Sequence, residues 1–163
     1  LIFLFLNQCG YETIYSNKNI KFNIKEIKIE NNLNIGRQIK NRLEIFSSDN
    51  PDNVSYILKI NCYFDKSTAS KDKQGNPKTF NLNVIVNATF IDNKNIERNK
   101  SFFENINYNN DENKFSLKQY ENSLIENLTD KIVENLLIYL QSFSSEKSNA
   151  SLTGNIGYTS KKQ

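Results

Sequence analysis

The chain contains no histidine, which removes the commonest general base and metal ligand. Cysteine occurs only as Cys9 and Cys62, with no pair at zinc spacing. Glycine is scarce, at five residues; none builds a phosphate-cradling loop, and no serine stands in a nucleophile elbow. The acidic residues are scattered at positions that suit solvated faces, so no enzymatic activity is expected. Arginine stands only at Arg37, Arg42 and Arg98, and the net charge is +3, a smaller basic excess than a dedicated nucleic-acid binder carries. Methionine is absent, so Leu1 is not expected to be a translation start. The opening apolar run, Leu1 to Leu6 (LIFLFL), falls far short of the ~20 residues that span a bilayer.

What is present is organised around Val54 to Ile91. Phe80, Leu82, Val84, Val86, Ala88 and Phe90 fall at every other position, with Asn81, Asn83, Asn87 and Thr89 between them, the period of a half-buried strand. Tyr56, Leu58, Ile60, Cys62 and Phe64 alternate in the same way. Folding the two runs antiparallel superimposes their apolar rows. The connection from Lys66 to Lys78 reads as longer than a tight turn. It contains Gly75 and Pro77 as breakers, and it carries Lys66, Lys71, Lys73 and Lys78 against Asp72 alone.

Around this hairpin, Phe22 to Ile29 reads as a first strand in which Phe22 and Ile24 are out of phase with Ile27 and Ile29, predicting a bulge or a change of face. Asn31 to Phe46 has a helical stripe of Ile35, Ile39, Leu43 and Phe46. Asp92 to Asn95 predicts a turn, and Ile96 to Tyr108 an edge strand with Phe102, Ile106 and Tyr108 on one face. Asn109 to Lys114 reads as a polar loop. Ser116 and Gln119 have capping-box spacing, and Leu117, Tyr120, Leu124, Leu128, Ile132, Leu136, Tyr139 and Phe143 recur at helical intervals. The predicted fold is therefore α+β: a four-stranded, mostly antiparallel sheet with two helices packed on one face, in the order β-α-β-β-β-α.

The amino terminus adds a separate signal. Leu6 stands three positions before Cys9, the spacing at which bacterial lipoprotein signals end and the cysteine sulfur receives a diacylglyceryl group; Asn7 and Gln8 are bulkier than the small residues usual there. The alternative is a buried first strand with an incidental thiol. Lipidation of Cys9 would give an anchored protein, because two or more acyl chains hold stably to a membrane. Residues 1–8 are then the remnant of a signal peptide, 9–143 a single domain, and 144–163 a disordered polar tail. No cofactor is expected beyond the covalent lipid, and Cys62 is expected to pack as a small hydrophobe.

Four segments carry a family resemblance: the start CGYETIYS, the stretch from Ala69 to Phe90 ending in VNATF, the run Ser101 to Asn105, and the last helix with Asp130 and Lys131. In order and spacing they resemble the lipopolysaccharide-assembly lipoproteins of the LptE family, in particular its alphaproteobacterial branch, over about Cys9 to Phe143. The resemblance implies an outer-membrane lipoprotein, lipid-anchored on the periplasmic side, that sits inside an LptD-like β-barrel as plug and assembly partner and helps deliver lipopolysaccharide to the outer leaflet. It also implies basic residues that contact lipopolysaccharide. Lys73, before Gln74 and Gly75, matches the hairpin-tip position; Lys114 is nearest to a second position between the last strand and last helix; Lys71 and Lys78 flank the first. Lysines on such a tip can pair with phosphates of an anionic glycolipid.

Two other readings stay open. A small sheet backed by two helices also occurs in RNA-recognition domains, which display aromatics on the open sheet face; here Tyr56, Phe64, Phe80 and Phe90 fall in the rows assigned to the core, and nucleic acid is not the expected partner. The other is a periplasmic lipoprotein scaffold with a different partner.

Overall fold

The computed structural model describes residues 22–31, 33–47 and 50–153, with side chains as far as residue 142. Strand β1 (Phe22–Ile29) leads into helix α1 (Leu33–Leu43), which ends in a 3-10 turn (Glu44–Phe46); β2 (Val54–Lys71), β3 (Pro77–Asp92), β4 (Glu97–Asn109) and α2 (Lys114–Thr153) follow. The sheet order is β1-β2-β3-β4. β1 pairs parallel with β2, as a crossover through α1 requires, and the other pairs are antiparallel. The predicted architecture holds. The bulge is where the phase break placed it: the register shifts between Ile24 and Glu26, so Phe22 and Ile24 are buried before it while Ile27 and Ile29 pack half-buried after it.

Both helices cover one face of the sheet. Tyr56, Leu58, Ile60 and Cys62 of β2 meet Leu82, Val84, Val86, Ala88 and Phe90 of β3 in one buried cluster. From above, α1 contributes Ile35, Ile39 and Leu43, and the following turn Phe46. Helix α2 buries two adjoining rows: Leu128, Ile132, Leu136 and Leu140, with Val133 and Leu137 beside them. Tyr139 is only partly buried, its ring 5.3 Å from Phe90 and 6.0 Å from Phe102, while Tyr120 is half-exposed. The predicted single stripe is thus displaced toward Leu140, because α2 packs against α1 as well as the sheet. Burial pushes the Cys62 thiol up to about 11, so it stays protonated and packs as a hydrophobe. Gly36 permits a close approach: a Cβ there would lie 2.4 Å from Cγ2 of Ile29.

The helix start differs from the predicted box. Asn113 is the cap, its Oδ1 accepting from the backbone N–H of Phe115 and of Ser116, both at 3.1 Å. Ser116 therefore lies inside the first turn, and Lys114 begins the helix instead of closing a loop. At the other end α2 continues to Thr153, well into the stretch assigned to a disordered tail. Ser144 to Thr153 contains no proline or glycine, so nothing in it breaks a helix already propagating from a packed template. The rest of that tail, and Cys9 with the signal remnant, lie outside the described residues.

The two hairpin turns share one construction. In each, an aspartate at the end of a strand accepts two backbone N–H groups on one oxygen: Asp72 from Gln74 at 2.9 Å and Asn76 at 2.8 Å, Asp92 from Lys94 at 2.9 Å and Ile96 at 3.0 Å. Three residues on, the chain enters the left-handed region, at Gly75 (φ 90°) and at Asn95 (φ 60°), positions that glycine and asparagine tolerate. The first connection is consequently not the long loop expected between Lys66 and Lys78. The strands run on to Lys71 and Pro77, and only Asp72 to Asn76 turns.

Candidate functional site: the hairpin end and its lysines

Strands β2 and β3 extend past the helices, and the predicted basic residues gather at this end. Lys71, Lys73 and Lys78 are all exposed. Lys73 stands within the turn, where Asp72 is engaged as an acceptor. The backbone N–H of Asn76, then its side-chain amide, and then the N–H groups of Gln74 and Gly75 hold its carboxyl below the usual range, so it stays ionised as their acceptor.

The last candidate, Lys114, is brought to the same end by Asn110. The Asn110 backbone N–H donates to Lys78 O at 2.9 Å, its Nδ2 to Pro77 O at 2.8 Å, and its Oδ1 accepts from Lys114 Nζ at 3.0 Å. Lys114 also donates to Asp111 O at 2.8 Å. It is therefore a tethered cation, unlike Lys73, and its main work is to tie the start of α2 to the base of the tip. Asp111 and Glu112 lie next to it, so the positive character is strongest at the turn itself.

Lys66 does not belong to the tip. It continues the inward row of Ile60, Cys62 and Phe64, and its ammonium lies 4.0 Å above the Phe80 ring centroid and against the carboxylate of Glu121, which also accepts from Tyr108 Oη at 2.7 Å. Burial alone would raise the Glu121 carboxyl, but the hydrogen bonds from Lys66 and Tyr108 outweigh it and hold it below its ordinary value. Burial, and then Glu121, raise the Tyr108 phenol, so the network is Lys⁺, carboxylate and neutral phenol. Sequence reading missed it, although Lys66 keeps the phase of the buried row. Phe64 is a further correction: placed in the core by its phase, it is 48% exposed, because the helices part above it.

The opposite sheet face is uncovered among the described residues, and amides and hydroxyls pair across its β3 and β4 part. Asn81 bonds to Asn107 at 2.8 Å, Ser101 to Asn87 at 2.7 Å and Thr89 to Asn99 at 2.6 Å across β3 and β4. Two rows differ: Tyr63, Ile85 and Phe103 sit side by side, and Ile57 pairs with Ile91.

Geometry and topology together define a class, an α+β domain of two helices over a mixed four-stranded sheet with a projecting cationic hairpin, and that fold recurs in solved bacterial lipoproteins. Rare lipoprotein B from Shewanella oneidensis superposes with a TM-score of 0.59 at 16% identity, covering 79% of this chain and 99% of that one. A minor lipoprotein from Acinetobacter baumannii gives 0.55 at 13% identity over 75% and 91%, and lipoprotein B from Nitrosomonas europaea 0.53 at 18% over 84% and 91%. At these identities the likeness is one of fold. No protein-family model matches the chain, and no curated protein matches it in sequence.

Proposed function

We propose that this chain is a non-catalytic envelope lipoprotein, anchored to the outer membrane through lipid on Cys9, that plugs and helps assemble an LptD-like β-barrel and assists lipopolysaccharide delivery. The observation that carries the reading is the fold: the neighbours it superposes on are lipoproteins, and nearly the whole of the Shewanella oneidensis chain is covered. No described helix is long and apolar enough to cross a membrane. The uncovered sheet face supports the barrel partner. Its hydrogen-bonded Asn, Ser and Thr pairs, with the charged Lys28, Lys59 and Glu97 beside them, suit the polar interior of an outer-membrane barrel better than a lipid surface. Lys73, on the exposed turn, is the residue assigned to lipopolysaccharide phosphates, with Lys71 and Lys78 beside it and Lys114 as a tethered fourth.

The test is purification of the full-length protein from its native host, with mass spectrometry of its mature amino terminus. The reading expects an acylated Cys9 and a large outer-membrane barrel in the same complex. An unacylated product, or an acylated one that never associates with a barrel, overturns it. One observation favours a second reading: Tyr63 and Phe103 share a row on the open face, as bases stacking on a sheet would need. Single-stranded RNA binding at low salt, weakened by Phe103→Ala, would move the assignment to an RNA-binding module; absence of any shift removes that alternative.

A further inference from the structure

On one side the sheet ends at β4, and no described strand pairs with that edge. An open edge presents a row of backbone N–H and C=O groups ready to pair with a further strand. The two sides of the sheet are unequal in this respect. β1 has eight residues and shifts its register at the bulge between Ile24 and Glu26, whereas β4 pairs with β3 along all thirteen of its residues without a shift. β4 contains no proline to interrupt a further ladder. Its flanks are apolar as well. Phe103 is 70% exposed on the open face, and on the helix side the exposed Ile138 of α2 lines a groove with Lys100, Phe102 and Tyr139.

The charges on this edge select what fits it. Lys100 and Glu104 flank Phe102 at alternate positions, so all three point to the helix side. Neither charge is strongly engaged within the chain: Lys100 Nζ lies 5.8 Å from the Tyr139 ring centroid, and Glu104 Oε1 accepts from Asn135 Nδ2 at 3.2 Å. Opposed residues of an antiparallel pair share a face, so a strand pairs with its own copy about a residue, not between two. Centred on Phe102, Lys100 meets the copy's Glu104, and by symmetry Glu104 meets the copy's Lys100. Ser101 meets the copy's Phe103, which brings the two Phe103 rings into diagonal contact on the open face, within reach for aromatic side chains. Centring on Phe103 sets Lys100 against Ile106 and Glu104 against Phe102, and the charges go unmatched. Centring on Ser101 matches Glu104 to Arg98 but shortens the overlap from residues 97–107 to 97–105 and sets Phe103 against Asn99. We infer that β4 is a self-association edge, at which two copies of this chain pair antiparallel about Phe102 and join their four-stranded sheets into one. The interface is isologous, as a closed dimer requires. Its twofold axis runs through the sheet, so the helices of both copies lie on one side and the grooves beside Ile138 open toward each other. Arg98 and Lys100 thus guard the edge against other strands and admit the copy. This pairing goes beyond the proposed function and depends neither on lipid at Cys9 nor on a barrel.

The full chain in dodecyl maltoside, with micelles in excess over protein, is followed by sedimentation velocity from nanomolar to sub-millimolar concentration. A two-chain species that dissociates on dilution is expected. Lys100→Glu or Glu104→Lys sets like charges opposite each other twice in the dimer, and each should raise the dissociation constant about tenfold. An equimolar mixture of the two variants is the decisive sample. In a mixed dimer the introduced glutamate of one chain meets the introduced lysine of the other, while the first chain's Glu104 meets the second chain's Lys100. The mixture should therefore recover the parent's affinity, as should the double exchange Lys100→Glu with Glu104→Lys in one chain. Recovery also shows that both single variants are folded. A parent that stays a single chain throughout, whatever other proteins its edge takes up, overturns the assignment. So does an oligomer that neither charge reversal weakens, the result expected of apolar adhesion elsewhere on the chain, or a mixture no tighter than its components.

Discussion

Val54 to Cys62 and Tyr63 to Lys71 belong to one strand, and β3 pairs with both stretches. The first stretch alternates between fully buried and half-buried positions, and every residue of the second is exposed. Pairing does not separate them, since the ladder is continuous until the irregularities near Ser70. The difference lies overhead: the first stretch is roofed by α1 and α2, and the second passes out from under them with only Lys66 reaching back to Glu121. Backbone pairing decides that a strand forms; what covers the strand decides whether its alternating row becomes core or display. The candidate lysines occupy the displayed end, where substitutions do not compete with packing.

The contrast breaks most visibly through the covered end. Leu58→Ala removes a side chain with 0% exposure and is expected to lower stability by about 3–4 kcal/mol, as core truncations do. Thr68→Ala, on the displayed end, should change it by less than about 0.5 kcal/mol. Urea unfolding midpoints at unchanged slope measure both, and equal losses would show that the displayed end is covered in solution. Next in size is Gly36→Ala, where the new Cβ meets the stiff Ile29 side chain. Overpacking is expected to cost about 1–3 kcal/mol, in spite of up to ~1 kcal/mol of helix propensity gained, and adding Ile29→Ala should recover part of the packing clash.

At the junction of the two ends, Glu121→Gln weakens the grip on Lys66. The expected loss is about 1–2 kcal/mol at neutral pH, below the figure for a fully buried pair because the Lys66 side chain is 34% exposed. The sign of its pH dependence follows from a folded carboxyl held below its ordinary 4.5. Its stabilisation is present above that value and is lost as pH falls through the lower folded one. Acid titration of the unfolding midpoint should therefore show a shallower decline below pH 4.5 in Glu121→Gln than in the parent. The smallest effect on folding is that of Lys73→Glu, within about 0.5 kcal/mol for a substitution on an exposed turn. The same change should weaken binding to lipopolysaccharide vesicles several-fold while barrel co-purification is retained; unchanged vesicle affinity would return Lys73 to an ordinary solvated lysine.

Much of this architecture was readable from pattern alone. The bulge in β1 followed from the clash of phase between Ile24 and Ile27, and the two central strands from an alternation sustained over many residues. The misreadings have a common cause. The hairpin loop looked long because Lys66 to Lys71 lacks large apolar residues, yet cross-strand partners in β3 keep it extended. The capping box at Ser116 was a legitimate local pattern that lost to Asn113, and only the direction of the chain leaving β4 could choose between them. The Lys66, Glu121 and Tyr108 network joins residues far apart in sequence, and the cleft above Phe64 depends on the spacing of two helices.

From its residues alone, then, this protein acquired the type and order of its elements and the faces they bury, because periodicity acts within a few residues of itself. Where one helix parts from another, which lysine is displayed and which is drawn onto a carboxylate, and whether Phe64 is core or cleft were decided only in three dimensions. Those outcomes depend on the relative placement of elements distant in the chain, and no local pattern encodes that distance.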